Sequence, residues 1–133
     1  MKLQFVYNDG GRSNYFKAGN VSDCVTRAIA IVTGKDYKEV YNTIKSIIGS
    51  SPRNSVPNKY LRQIMKHFGG VWVPLSGIGI GCKAHLTGNE IPMNGRIICN
   101  VSKHVTAVID GVNYDTYDSS RNGSRCVYGY WKF

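Results

Sequence analysis

Apolar side chains recur at the spacing of an α-helix in three successive stretches of the N-terminal half of the chain. In the first stretch they fall three and four residues apart, at Val25, Ala28, Ile29 and Val32. A stripe of this kind on one face predicts an amphipathic helix packed on a core. Ser22 or Asp23 is its expected N-cap, and Gly34 marks its end.

Two more helices are predicted downstream, each with its own start and stop signals. Asp36 opens a capping-box spacing before the second apolar stripe, and Gly49 closes that stripe. Pro57 suits the first turn of the third helix, which ends at a pair of glycines beginning with Gly69. The sequence therefore predicts three helices, separated by short connections, before its character changes.

Short strands are predicted after the third helix. Runs rich in β-branched and aromatic residues cover residues 71–75, 96–101, 104–109, 112–117 and 126–133. One further short strand is predicted at residues 3–7, ahead of the helices. Because helices and strands are segregated along the chain, the pattern is that of an α+β protein. We expect a single domain over residues 1–133, with N-terminal helices packed on a C-terminal antiparallel β-sheet.

An Asp-Gly dipeptide at residues 110–111 predicts a two-residue type I′ hairpin between two of these strands. With that loop, Thr106 lies opposite Asp115. His104 and Asp115 then share one face as diagonal neighbours, about 7 Å apart between Cβ atoms and within reach of a hydrogen bond. A three-residue loop would instead bring Asp118 opposite His104, so the choice between the two carboxylates depends on the register.

Composition and charge narrow the classes of partner. The 133 residues are 42% hydrophobic, which suffices for one packed core. The formal net charge of +9 favours polyanions or an acidic partner. The basic residues are scattered, so nucleic acid is an alternative and not the favoured partner. With no signal peptide and no segment near the ~20 apolar residues of a membrane span, we expect a cytoplasmic protein that does not bind membranes.

The four cysteines are Cys24, Cys82, Cys99 and Cys126. Without an export signal, reduced thiols are the default expectation for all four. Cys24 differs from the others because it falls in the first turn of the first predicted helix. There the helix dipole and the free backbone amides lower the pKa of a thiol.

These residues supply the parts of a cysteine nucleophile. An imidazole takes the proton of the thiol, and a carboxylate fixes the orientation of the ring. The sequence predicts Cys24 as nucleophile, His104 as general base and Asp115 as the orienting carboxylate, with Asp118 in reserve. Asp23 opposes this assignment, because it places a negative charge beside the atom where a thiolate must form.

The order of Asp-Cys at a helix start, His on a strand and Asp on the next strand resembles the papain-like cysteine peptidases. It is most similar to the compact bacteriocin-processing peptidase domains of ABC exporters, and the interval from Cys24 to His104 suits that layout. The motifs at residues 7–12, 23–30 and 112–118 also resemble small proteins of tailed phages, which implies the host cytoplasm if the protein is phage-encoded.

The resemblance implies a papain-like fold and a cysteine peptidase or related acyl hydrolase, acting on a peptide or isopeptide bond of a peptide or protein substrate. The family usually places a glutamine six positions before the cysteine to complete the oxyanion hole, and Ala18 stands there in this chain. Loss of such a donor typically costs ~100- to 1,000-fold in turnover. Asn20 is the candidate replacement, with Asn14 as an alternative.

A catalytically silent binding module is the competing interpretation. A glycine-rich segment that includes Gly79 and Gly81, followed by Lys83, could bind phosphate through its backbone amides. Such a protein would sequester a nucleotide or another anionic ligand. An enzyme predicts one hyper-reactive thiol at Cys24, whereas a binding module predicts ordinary thiols and salt-sensitive ligand binding.

Two Cys/His pairs, Cys82 with His85 and Cys99 with His104, have a spacing that zinc ligands can adopt. Their mixed order and their placement on strands argue against a zinc site. We therefore expect neither a metal ion nor a cofactor.

Overall fold

The computed structural model describes residues 2–17, 21–75 and 81–133. Its helices are α1 (Cys24–Thr33), α2 (Tyr37–Ile48) and α3 (Leu61–His67). Its strands are β1 (Gln4–Tyr7), β2 (Val71–Pro74), β3 (Arg96–Val101), β4 (His104–Ile109), β5 (Val112–Asp115) and β6 (Gly129–Lys132). Short 3-10 turns occupy Arg12–Asn14 and Asn58–Tyr60. The described residues thus form an α+β structure, as the sequence predicts.

The six strands form one open sheet in the order β1-β5-β4-β3-β6-β2. Every neighbouring pair is antiparallel except β1 with β5, which is parallel. The expectation of an antiparallel sheet is therefore wrong at this edge. The three helices and three other strands separate β1 from β5 along the chain, so no hairpin fixes their relative direction.

The helix ends follow the sequence signals with one difference. The Asp36 side chain accepts a hydrogen bond from the backbone N–H of Lys38 at 3.2 Å and caps α2. Gly34 and Gly49 end α1 and α2 with φ angles of 71° and 76°, in the left-handed region that glycine adopts at no steric cost. Pro57 precedes a 3-10 turn rather than lying in the first turn of α3.

Helix α1 packs across one face of the sheet, chiefly on β4, and it also contacts α2. Its buried face includes Ile29 and Val32, which join Ile98 and Ala107 of the sheet in one apolar cluster. A second cluster, which contains Leu86, covers the opposite face. The packing of α1 on β4 brings the N-terminus of the helix to the first residue of that strand, and this meeting point forms the site described below.

Two segments far apart in sequence lie side by side on the face of the sheet opposite α1. The backbone N–H of Val127 donates to the Ala84 carbonyl at 2.8 Å, and Cys82 and Cys126 form a disulfide. The expectation of four reduced thiols is wrong for this pair, because the backbone pairing brings the two Cα atoms to 5.7 Å, a separation that a disulfide can span.

Cys24 and Cys99 are free thiols. Strand β6 begins at Gly129, so Cys126 lies ahead of it, where it forms an isolated bridge with His85. In the described parts of the chain, no helix has the length and apolar character needed to cross a bilayer.

Candidate active site

Cys24 is the first residue of α1 and lines a cleft beside the start of β4. The cleft has a volume of about 460 Å³. Its walls include Cys24, His104, Arg12, Arg27, Lys103 and Tyr117. The thiol is therefore placed where a helix N-terminus, a strand and an accessible cavity meet.

The structure brings Cys24, His104 and Asp115 together at this cleft. Cys24 and His104 both line it, and His104 Nε2 lies 2.7 Å from Asp115 Oδ2. Because Nε2 is occupied by the carboxylate, Nδ1 is the ring nitrogen left for the sulfur. This order of thiol, imidazole and carboxylate is the one the sequence predicts.

The register of the β4–β5 hairpin decides between the two candidate carboxylates. Ile109 pairs with Val112 around the two-residue loop, which confirms the type of hairpin expected from Asp-Gly. Asp118 Oδ1 accepts hydrogen bonds from the Ser120 hydroxyl at 2.7 Å and from the Ser120 backbone N–H at 3.1 Å. The reserve assignment of Asp118 to the imidazole is therefore not what the structure shows.

The electrostatics of the three groups favour a thiolate–imidazolium pair. Burial alone raises the pKa of Cys24, but the hydrogen bond and charge of His104 and a backbone hydrogen bond from Val105 outweigh it and lower that pKa. Burial alone lowers the pKa of His104, yet its bonds to Asp115 and Cys24 raise it to about 9. The Tyr117 ring lies 5.3 Å from the imidazole and can stabilise its positive charge.

Asp115 is held by more groups than His104 alone. Its Oδ2 accepts from the Thr106 hydroxyl at 2.7 Å and from the Ser119 hydroxyl at 3.0 Å. Its Oδ1 accepts from the Thr116 N–H at 2.7 Å and from Arg27 at 3.2 Å. Burial raises the pKa of Asp115, but these hydrogen bonds, led by that of His104, lower it to about 2. The carboxylate stays ionised and fixed in orientation.

Asp23 does not oppose the thiolate in the way its position in the sequence suggests. Its side chain is fully buried and forms ion pairs with Arg27 and, at 3.1 Å, with Arg12. Its Oδ2 also accepts a hydrogen bond from the Tyr37 hydroxyl at 2.8 Å. Two guanidinium groups therefore neutralise the charge next to Cys24.

Arg27 is the first of two groups at this site that the sequence analysis does not identify. It bridges Asp23 and Asp115 from within α1, and its side chain is 7% exposed. Its positive charge also contributes to the lowered pKa of Cys24. The available signal was a charged residue among the apolar positions of a helix predicted to be buried, because such a charge requires a partner.

Thr106 was a second missed group, and a weaker signal marked it. It lies two positions after His104 on the same strand, hence on the same face of the sheet. Asn113 donates to the Thr106 hydroxyl at 2.8 Å, so the threonine in turn is oriented toward Asp115. A polar residue two positions along a buried strand from the base was the clue available.

Of the remaining predicted site residues, those that the structure describes do not line the cleft. Asn20 and Gly79 lie outside the described residues, as does Ala18. Gly81 and Lys83 are exposed and do not line the cleft. Asn14, the alternative oxyanion donor, is exposed in its 3-10 turn and also lies off the cleft wall.

The zinc interpretation is wrong for these cysteines. Cys82 is bonded to Cys126, and Cys99 is buried in β3, where burial raises the pKa of its thiol to about 12. Within residues 2–17, 21–75 and 81–133, no group of three or more potential ligands could hold a metal ion.

Comparisons with models of protein families, with curated proteins and with solved structures find no match to this chain.

Proposed function

We propose that this protein is a papain-like cysteine hydrolase that cleaves a peptide or isopeptide bond. One observation carries the proposal, namely that Cys24 and His104 meet at the wall of an open cleft, with His104 Nε2 held 2.7 Å from Asp115 Oδ2. Perturbed thiol and imidazole pKa values at a cavity are typical of catalytic groups.

The steps follow from the placement of these groups. The Cys24 thiolate attacks the carbonyl carbon, and the imidazolium of His104 protonates the departing amine as the carbon–nitrogen bond breaks. His104, now neutral, accepts a proton from water, which attacks the thioester and releases the acid and the thiol. Asp115 remains ionised throughout and stabilises the imidazolium.

One donor for the oxyanion follows from the helix itself. As the first residue of α1, Cys24 has a backbone N–H with no partner inside the helix. Such an amide at a helix N-terminus suits a developing negative charge. We assign neither Asn20 nor Asn14 as a second donor to the oxyanion.

A burst experiment with p-nitrophenyl acetate tests the proposal. We expect a rapid release of one nitrophenolate per chain, an acetyl group on Cys24 in the intact and peptide masses, and slower turnover. Cys24→Ala should abolish both phases, whereas Cys99→Ala, which removes the other free thiol, should retain them. No burst in the wild type, or a burst that survives in Cys24→Ala, would overturn the assignment.

A peptide library then tests the kind of bond. Mass spectrometry of the products should reveal new termini with wild-type protein and none with Cys24→Ala. If the ester is cleaved but no peptide or isopeptide bond is, the protein is an acyl hydrolase of another substrate class.

A further inference from the structure

The cleft beside Cys24 is lined by cationic side chains. Arg12, Arg27 and Lys103 all contribute to its walls. Asp23 is the one carboxylate among the residues that line it, and its side chain is fully buried in ion pairs with Arg12 and Arg27. Asp115, to which Arg27 is also bonded, balances the second guanidinium. Since the Cys24–His104 pair is neutral overall, the positive charge left over at the cleft is that of Lys103.

Lys103 is the cation that is free to meet a ligand. It lies in the tight turn between β3 and β4, immediately before His104, and it is exposed. Its side chain makes no hydrogen bond or ion pair with another residue in the described parts of the chain. The Arg125 side chain donates to the Ser102 carbonyl at 2.6 Å and so fixes the turn that carries Lys103.

Arg12 adds a second cation at the same cleft. Its Nη1 atom is bonded to Asp23 at 3.1 Å, and its side chain is 19% exposed. A guanidinium has five N–H donors, so the hydrogen bond to Asp23 leaves others for a ligand at the cleft. Arg12 and Lys103 come from different elements, the first 3-10 turn and the β3–β4 turn, yet both line the cleft that holds the thiol.

We propose that this cleft selects substrates that carry a carboxylate close to the bond attacked by Cys24, such as an acidic peptide segment, and that Lys103 and Arg12 contact that carboxylate. The inference rests on the proposed function and deepens it by naming the substrate class. A positive charge next to the reacting thiolate steers a substrate carboxylate into the cleft and orients the bound substrate.

A pair of small alkylating reagents tests this inference without a known substrate. Iodoacetate and iodoacetamide both form a carbon–sulfur bond to Cys24 as iodide leaves, and they differ chiefly in the carboxylate. The measured quantity is the ratio of their rate constants at Cys24, determined by peptide mass spectrometry. The His104 imidazolium also attracts the iodoacetate anion. Substitution of Lys103, which is not one of the three residues Cys24, His104 and Asp115, therefore isolates the contribution of the Lys103 charge to the ratio.

In Lys103→Gln, the ratio of iodoacetate to iodoacetamide rate constants should fall about twofold to fivefold, as expected for one exposed charge. Because both reagents react with the same thiolate, the ratio removes any change in the reactivity of Cys24 itself. Lys45→Gln, which removes the same charge from the last turn of α2, should leave the ratio at its wild-type value. High salt should lower the wild-type ratio toward that of Lys103→Gln.

The outcomes separate this inference from the proposed function. A ratio that is identical in wild type and Lys103→Gln overturns the carboxylate preference while the hydrolase proposal stands. An equal fall in Lys45→Gln also overturns it, because the effect then belongs to the overall charge of the protein. A Cys24 that reacts with neither reagent contradicts the proposed function, and the carboxylate preference with it.

Discussion

Replacement of Arg27 by methionine removes the buried cation on which two carboxylates of this site depend. The substitution keeps much of the side-chain volume but leaves two buried carboxylates, Asp23 and Asp115, without their shared cation. Breaking a buried ion pair by removing one partner typically costs 3–5 kcal/mol. Arg12 still contacts Asp23, so we place the expected loss near the lower end, at about 3 kcal/mol.

Urea unfolding at neutral pH measures this loss as a fall in midpoint. Arg121→Met provides the matched control, because Arg121 is exposed, and such surface substitutions usually stay within about 0.5 kcal/mol. Arg27→Lys should recover part of the loss, since an ammonium keeps the charge but cannot reach both carboxylates with a planar fork.

The same substitution should reduce the reactivity of Cys24. Arg27 is one of the positive charges that lower the pKa of this thiol, and it also holds Asp115, which orients His104. A smaller iodoacetamide rate constant at pH 7 should therefore accompany the loss of stability. If the free energy of unfolding of Arg27→Met lies within about 0.5 kcal/mol of the wild-type value, the buried ion pairs of Arg27 do not stabilise the protein as described here.

Three further outcomes follow from the same contacts. Asp115→Asn should slow iodoacetamide labelling of Cys24 at pH 7, whereas Asp118→Asn should not; equal effects of the two would contradict the hairpin register as the basis of the site. Because the pKa of Asp115 is lowered from 3.8 to about 2, its ionised form contributes about 2 kcal/mol of stability above pH 4, which is lost as the pH falls through 2. The slope of urea-determined stability against pH should flatten in that range in Asp115→Asn, and an unchanged slope would argue against a lowered pKa. Reduction of the Cys82–Cys126 disulfide, which closes a loop of 44 residues, should lower the free energy of unfolding by about 4 kcal/mol. If the urea midpoint is the same with and without dithiothreitol, the bond adds no stability.

Local patterns predicted the elements that carry the site. The apolar period from Val25 to Val32 and the glycine that follows placed the first helix with Cys24 at its start. The Asp-Gly dipeptide fixed a two-residue loop, and that register put Asp115 rather than Asp118 against His104. These features depend on neighbours within a dozen residues, so a single sequence contains the information needed.

Features that join distant segments could not be predicted in the same way. Arg27 and Asp115 are 88 positions apart, and neither residue type specifies the other as its partner. The parallel pairing of β1 with β5 and the Cys82–Cys126 disulfide likewise depend on how the whole chain packs. Cysteine spacing alone leaves disulfide connectivity open. The neutralisation of Asp23 also depends in part on Arg12, which lies in the 3-10 turn ahead of α1.

The pH dependence of iodoacetamide labelling, resolved by cysteine, tests the central claim most directly. The thiolate is the reacting form, so the rate constant at Cys24 should rise through an apparent pKa well below the ~8.5 of a free thiol. In His104→Ala that inflection should move up toward or above the free-thiol value, while Cys99 should stay unreactive in both proteins because it is fully buried. An inflection for Cys24 that is the same with and without His104 would contradict the existence of the thiolate–imidazolium pair.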